Sequence, residues 1–185
     1  MSIPREPPPA KLIVGLLFRD FEIRREALAQ LTALYGPLDF ATRAEPFSYT
    51  SYYDREMGEG ILRQVVSFQD LAAADALPRI KHQTNLIETR LSSDAKRRIN
   101  IDPGFLSEER VVLATGKNYT HRVYLRDGIY ADLTLLYQKG GFRALPWTYP
   151  DYREANLLHY LGALRRKLIF QRKEKVPGDS QGGDA

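Results

Sequence analysis

The chain has 185 residues, no cysteine, 43% apolar residues and a formal net charge of +4. That length suits one domain with a proper core. The missing cysteine excludes disulfides, thiolate metal sites and cysteine nucleophiles, and fits a reducing cytoplasm. The positive charge is local. Residues 165–175 carry six basic side chains and one acidic, which leaves 21 basic and 22 acidic in the remainder. A near-neutral body argues against a broad nucleic-acid-binding surface, so nucleic acid is not the expected partner.

Residues 1–10 are polar and proline-rich and read as a flexible leader without a signal-peptide core. The apolar run Leu12–Phe18 is too short to span a bilayer, so no membrane is expected. Lys11–Phe18 reads as a buried strand. Asp20 caps a helix to Tyr35, with Ile23, Ala27, Leu28, Leu31 and Leu34 on one stripe. Gly36 and Pro37 stop it. Leu38–Pro46 reads as a connection, Phe47–Tyr53 (FSYTSYY) as a second strand, Asp54–Gly60 as its turn and Ile61–Phe68 as a third strand. Asp54, Glu56 and Glu59 gather acid at that turn, but nothing forces their oxygens to converge on a cation. No metal and no cofactor is assigned. Asp70–Leu91 reads as a helix broken near Pro78, with Ile80, Thr84, Ile87 and Leu91 as its apolar stripe. Arg97–Ile101 follows as a strand that Asp102-Pro103-Gly104 ends as a turn.

Val111–Thr115, Tyr119–Arg126 and Ile129–Tyr137 then form a three-stranded meander. A two-residue loop at Asp127-Gly128 would set Val123 opposite Asp132 and mix core with polar positions. A three-residue loop, with Gly128 at positive φ, pairs Val123 with Ala131, Arg122 with Asp132, Tyr124 with Tyr130 and Thr120 with Thr134. A two-residue turn at Lys117-Asn118 places His121 on the apolar face. It leaves Thr115, Thr120 and Thr134 in one polar row and Leu113, Arg122 and Asp132 in the next. An ordinary solvated face with one cross-strand ion pair, contributing roughly 0.2–1 kcal/mol, is the competing reading. His121 reads as a satisfied core histidine rather than a catalyst.

Gly140–Pro150 is a loop holding the only tryptophan, Trp147. Asp151 and Glu154 resemble a capping box for a helix to about Gln171, with Leu157, Leu161, Leu164 and Leu168 inward. Residues 173–185 read as a disordered basic and polar tail. The expected architecture is one α+β domain over residues 11–172. It has a ferredoxin-like split βαβ core with a mainly antiparallel sheet, extended by the meander and a C-terminal helix.

Thr115-Gly116-Lys117-Asn118 fails as a phosphate loop, because Val111 stands where the upstream glycine would be and no helix follows. His82, His121 and His159 show no metal spacing. The chain resembles an uncharacterised bacterial family, domain of unknown function 4416. The stretches that carry the resemblance are Phe47–Gly58 (FSYT-x-YY-x-x-EMG), Asn100–Phe105 (NIDPGF), the LATGK of the meander and its HRVYL…GIYADLTL hairpin. The resemblance implies no established activity. Whether the protein is an enzyme is left open.

The functional expectation is a cytoplasmic domain binding a small anionic or phosphate-bearing ligand through Asp102, Thr115, Lys117, Thr120, His121, Arg122, Asp132 and Thr134. The alternative is a non-enzymatic module that binds protein or RNA through the aromatic strand and the basic final helix. A homodimer pairing sheet edges is a third expectation.

Overall fold

The computed structural model describes residues 2–94 and 96–174. Its elements are β1 (Ala10–Phe18), α1 (Phe21–Tyr35), β2 (Leu38–Ala41), β3 (Glu45–Pro46), α2 (Asp54–Met57), β4 (Leu62–Ala72), α3 (Leu77–Arg90), β5 (Ile99–Leu106), β6 (Arg110–Thr115), β7 (Arg122–Arg126), β8 (Ile129–Gln138), β9 (Gly141–Ala144) and α4 (Ala155–Glu174). The tail beyond residue 174 lies outside the described residues. All strands join one open antiparallel sheet in the order β2-β4-β1-β5-β6-β8-β7, with β3 on β4 and β9 on β8.

β1 is buried along its whole length, so both sheet faces are covered there. Alternate residues Leu12, Val14, Leu16 and Phe18 face α1 and α3, with Val66, Phe68, Ile99 and Ile101 beside them. Ile13 faces α4 with Val65, Leu106, Val111 and Leu135, where Leu157, Leu161, Leu164 and Leu168 close over them. Two further segments pack on the sheet: residues 47–57, which include α2, over Leu17 and Ile61, and residues 145–153, whose Tyr152 joins the α4 cluster.

Several expected elements differ. Phe47–Tyr53 is not a strand. After Phe47 donates its N–H to Ile61 the chain leaves the sheet, and no partner strand remains for it. The Phe47 ring instead meets Tyr49 and Tyr53 edge-on at 5.6 and 6.2 Å, over Leu17, Met57 and Ile61. Strand propensity without a partner reduces to aromatic packing. The expected Leu38–Pro46 connection supplies β2 and β3, and β4 runs on to Ala72, so the following helix starts only at Leu77. Pro78 sits in its first turn, where no N–H is needed, and starts the helix rather than breaking it. On α1, Leu34 is exposed rather than part of the inward stripe.

Asp102-Pro103-Gly104 is not a turn but the middle of β5. Ile101 gives its N–H to Glu88 at 2.5 Å, and its carbonyl accepts from Lys81 at 3.1 Å. Polar groups alternate edges along a strand, so those of Ile101 and Pro103 both point away from β1. On that edge Pro103 has no N–H to offer, and pairing with β6 covers only Gly104–Leu106. A Cβ on Gly104 would sit 2.6 Å from Leu113 Cδ2 and 2.7 Å from the Val112 carbonyl, so only glycine permits this approach. Beyond it β5 and β6 splay apart, and α3 supplies the hydrogen bonds the ladder loses.

The meander is rearranged. β6 pairs with β8, not β7, so β8 is central and β7 is the outer edge. The row Leu113–Asp132–Arg122 survives with the aspartate in its middle. Arg122 faces Asp132, Val123 faces Ala131 and Tyr124 faces Tyr130, as the apolar pattern required. The loop differs from the expected one: Asp127 and Gly128 form a two-residue turn at φ 53° and 75°. A bulge between Tyr124 and Arg126 absorbs the extra residue and restores the pairing. Thr120 does not pair with Thr134; it lies exposed in the turn before β7.

Candidate functional site

Asp132 is the buried centre of the site. Its Oδ2 accepts from Arg122 Nε at 2.9 Å and faces His121 Nε2 at 3.2 Å. His121 is therefore not on the apolar face, as expected from a β6–β7 hairpin. It joins the ion pair and stacks on Trp147, with ring centroids 4.9 Å apart and planes at 13°. An ionised carboxylate only accepts, so Nε2 carries the proton towards Asp132. Nδ1 is buried and has no hydrogen-bond partner among the described residues.

Arg122 binds three separate segments. Besides Asp132, its Nη1 donates to the Lys117 carbonyl at 3.0 Å and its Nη2 to Tyr149 Oη at 2.8 Å. Asp132 both orients and neutralises the guanidinium, which is largely buried. Thr134 turns inward, donating to the Asp132 carbonyl at 3.0 Å and accepting on its own carbonyl from Thr148 Oγ1 at 2.5 Å. Thr115 Oγ1 accepts from the Lys117 N–H at 3.2 Å. The structure thus links Thr115, Lys117, His121, Arg122, Asp132 and Thr134 and leaves Thr120 apart.

Asp102 stands across the splay on β5. It pairs with Lys81 at 3.1 Å and accepts from Asn100 Nδ2 at 2.6 Å. Glu88 lies behind it, close to Lys81 and 3.9 Å from Arg97. Burial pushes the Glu88 carboxyl up to about 7 from an ordinary 4.5, against the pull of Lys81 and the Ile101 N–H. A raised carboxyl pKa disfavours the folded state once the group ionises, so stability falls as pH rises from about 4.5 to about 7. At about 1.4 kcal/mol per unit, the full loss is of order 3 kcal/mol. Urea midpoints at pH 5 and pH 8 test this: Glu88→Gln should remove most of the drop. Parallel profiles for the two proteins would contradict it.

Sequence reasoning missed the aromatic and loop partners. Tyr149, Trp147, Tyr52 and Tyr53 come from segments without regular structure, where no periodicity marks a position. Burial raises the Tyr149 phenol, opposed by Arg122, and raises Tyr53 more strongly, so both keep their protons at neutral pH. Asp151 does not cap α4. It lies in the first turn of a 3₁₀ helix at Pro150–Arg153 and anchors it by pairing with Arg63 Nε on β4 at 2.6 Å.

Lys81, Arg97, Arg63 and Arg122 each face a carboxylate. Lys117 makes no ion pair among the described residues: its Nζ donates to Tyr52 Oη at 3.2 Å and lies 4.8 Å from that ring's centroid. Much of the basic charge on α4 is engaged inside the molecule. Arg165 donates to the Glu108 carbonyl and lies over Tyr137, Lys167 pairs with Asp39, and Arg172 pairs with Glu108.

The family model described as Domain of unknown function (DUF4416) matches residues 8–168. The chain belongs to this family. No curated protein and no solved structure matches the chain. The four stretches that carried the resemblance all place side chains at this end of the sheet, through Tyr52, Asp102, Lys117 and the Arg122–Asp132 pair. No group of three or more His, Asp or Glu positioned to hold a metal occurs among the described residues, and no helix there is long and apolar enough to cross a membrane.

Proposed function

We propose that this end of the sheet is a cytoplasmic binding site for a small anionic, phosphate-bearing ligand, on a core we read as a ferredoxin-like split βαβ unit. One observation carries the reading. Lys117 Nζ, Tyr52 Oη and Tyr149 Oη are brought to one exposed edge with hydrogens that no acceptor among the described residues takes. Tyr52 accepts from Lys117 and Tyr149 accepts from Arg122, so each phenol proton is left to donate outward. An anion supplies the missing acceptor, and the unpaired ammonium supplies its counter-charge. Arg122, already neutralised, holds Lys117 and Tyr149 in place rather than gripping the anion itself.

The test is thermal and chemical denaturation with inorganic phosphate and phosphorylated sugars, on wild type and Lys117→Ala. A true ligand at a hundredfold excess over its dissociation constant stabilises by about 2.7 kcal/mol. Lys117→Ala should lose that gain while folding normally, since the side chain is exposed and its one hydrogen bond among the described residues is to Tyr52. The reading fails if wild type shows no gain, or if the variant gains as much.

A further inference from the structure

We infer that the ligand of this site carries a flat ring together with its phosphate, as a mononucleotide does, and that the ring lies on Trp147. The inference rests on the anion-binding reading above and names the ligand class for it.

Trp147 is 40% exposed, yet it is held in one orientation. Its indole Nε1 donates to the Leu133 carbonyl at 2.8 Å. The His121 imidazole stacks on one face of the ring, with centroids 4.9 Å apart and planes at 13°, and we place the ligand on the other face. His121 is fixed in turn by Asp132 and by the edge of Tyr119 at 5.5 Å. A solvent-facing tryptophan normally loses side-chain freedom when a ligand packs on it. Here the fold has already fixed the ring, which is what a stacking platform requires.

The platform and the anion donors belong to one connected unit. From the indole, contacts run through His121 and Asp132 to Arg122, and from Arg122 to the backbone of Lys117 and the hydroxyl of Tyr149. Tyr149 is also two residues along the chain from Trp147. Two further rings, Tyr52 and Tyr119, stand 58% and 64% exposed in the same cluster. A bare phosphate would engage Lys117 and leave this aromatic surface uncovered. A phosphate joined to a nucleobase uses both, because every base presents a π-face and stacking tolerates any of them.

The single tryptophan makes the experiment specific. The full chain is titrated with a panel of mononucleotides, ribose 5-phosphate and adenosine, following tryptophan fluorescence and, in parallel, heat of binding. Mononucleotides should quench Trp147 saturably and bind about tenfold tighter than ribose 5-phosphate. Trp147→Ala should erase that advantage, bringing mononucleotide affinity down to that of ribose 5-phosphate. Trp147→Phe, which keeps a ring, should retain most of it by calorimetry and guards against a folding defect in the alanine variant. Equal binding of mononucleotide and ribose 5-phosphate without quenching overturns the ring inference and leaves the anion site standing. Adenosine binding as tightly as its monophosphate, with no effect of Lys117→Ala, overturns the anion reading and the mononucleotide with it. Binding by none of the probes overturns both.

Discussion

Asp39→Ala is expected to destabilise the protein by about 3–5 kcal/mol, the usual cost of removing one partner from a buried ion pair. Lys11 is fully buried, on a strand otherwise almost wholly apolar. Its Nζ donates to Asp39 Oδ2 at 2.7 Å and to the Phe68 carbonyl at 2.9 Å. Asp39 also pairs with Lys167 at 2.9 Å and accepts from Ser67 Oγ at 2.5 Å. Burial lowers the Lys11 ammonium's pKa, opposed by the Asp39 hydrogen bond. Burial alone would raise the Asp39 carboxyl, but the bonds from Lys11, Ser67 and Lys167 outweigh it and hold it below its ordinary value. A depressed carboxyl contributes stability above the unfolded pKa and loses it as pH falls through the folded one. Asp39→Ala should therefore flatten the acid limb of the stability profile as well as lower the plateau. Urea unfolding at neutral pH measures the first effect. The paired change Lys11→Met with Asp39→Leu should recover most of the loss, because apolar replacement of a buried pair is often neutral or better. A cost under about 1 kcal/mol for Asp39→Ala alone would mean that Lys11 is not held as a buried charge.

Lys11 also shows where sequence reading stops. The continuous apolar run that follows it marks β1, and local apolar patterns likewise mark α1, β4, β6, β8 and the leucine stripe of α4. The hairpin register was legible for a related reason: a slip by one residue would have sent Asp132 to the wrong face. The partner of Lys11 lies 28 residues away, in a stretch with no periodicity, and nothing local points to it. The order of β6, β8 and β7 is likewise a long-range choice, since residues 116–121 carry the chain past the place that β8 later fills. In the NIDPGF stretch local turn chemistry gave a definite answer, and tertiary pairing overrode it: β1 on one edge and the α3 side chains Lys81 and Glu88 on the other held the strand straight. The site residues divide the same way. Those on strands, Arg122 and Asp132, could be placed by register. Trp147, Tyr149 and Tyr52 sit on segments whose position depends on what they pack against.

Asp132→Ala should destabilise by about 3 kcal/mol, at the lower end for a buried pair, and should unfasten the whole site. The lower end is expected because Arg122 keeps two other partners, the Lys117 carbonyl and Tyr149 Oη. What is lost is the only carboxylate, among the described residues, that faces a guanidinium and an imidazole that are both about nine-tenths buried. Without it, neither ring nitrogen of His121 has a partner among the described residues, since Nδ1 already lacks one there. Asp132 holds both His121 under Trp147 and the Nε of the arginine that reaches Lys117, so residues 115–122 and 145–149 should loosen together. Amide exchange would show faster exchange in both segments, with the α1–α3 side of the sheet unaffected. Asp132→Asn keeps one acceptor and should cost less, about 1–3 kcal/mol. A double-mutant cycle with Arg122→Ala should give a coupling of about 0.5–3 kcal/mol, because the two residues share one contact. Additive losses, or exchange confined to β8, would mean that Asp132 serves its own strand and does not organise the site.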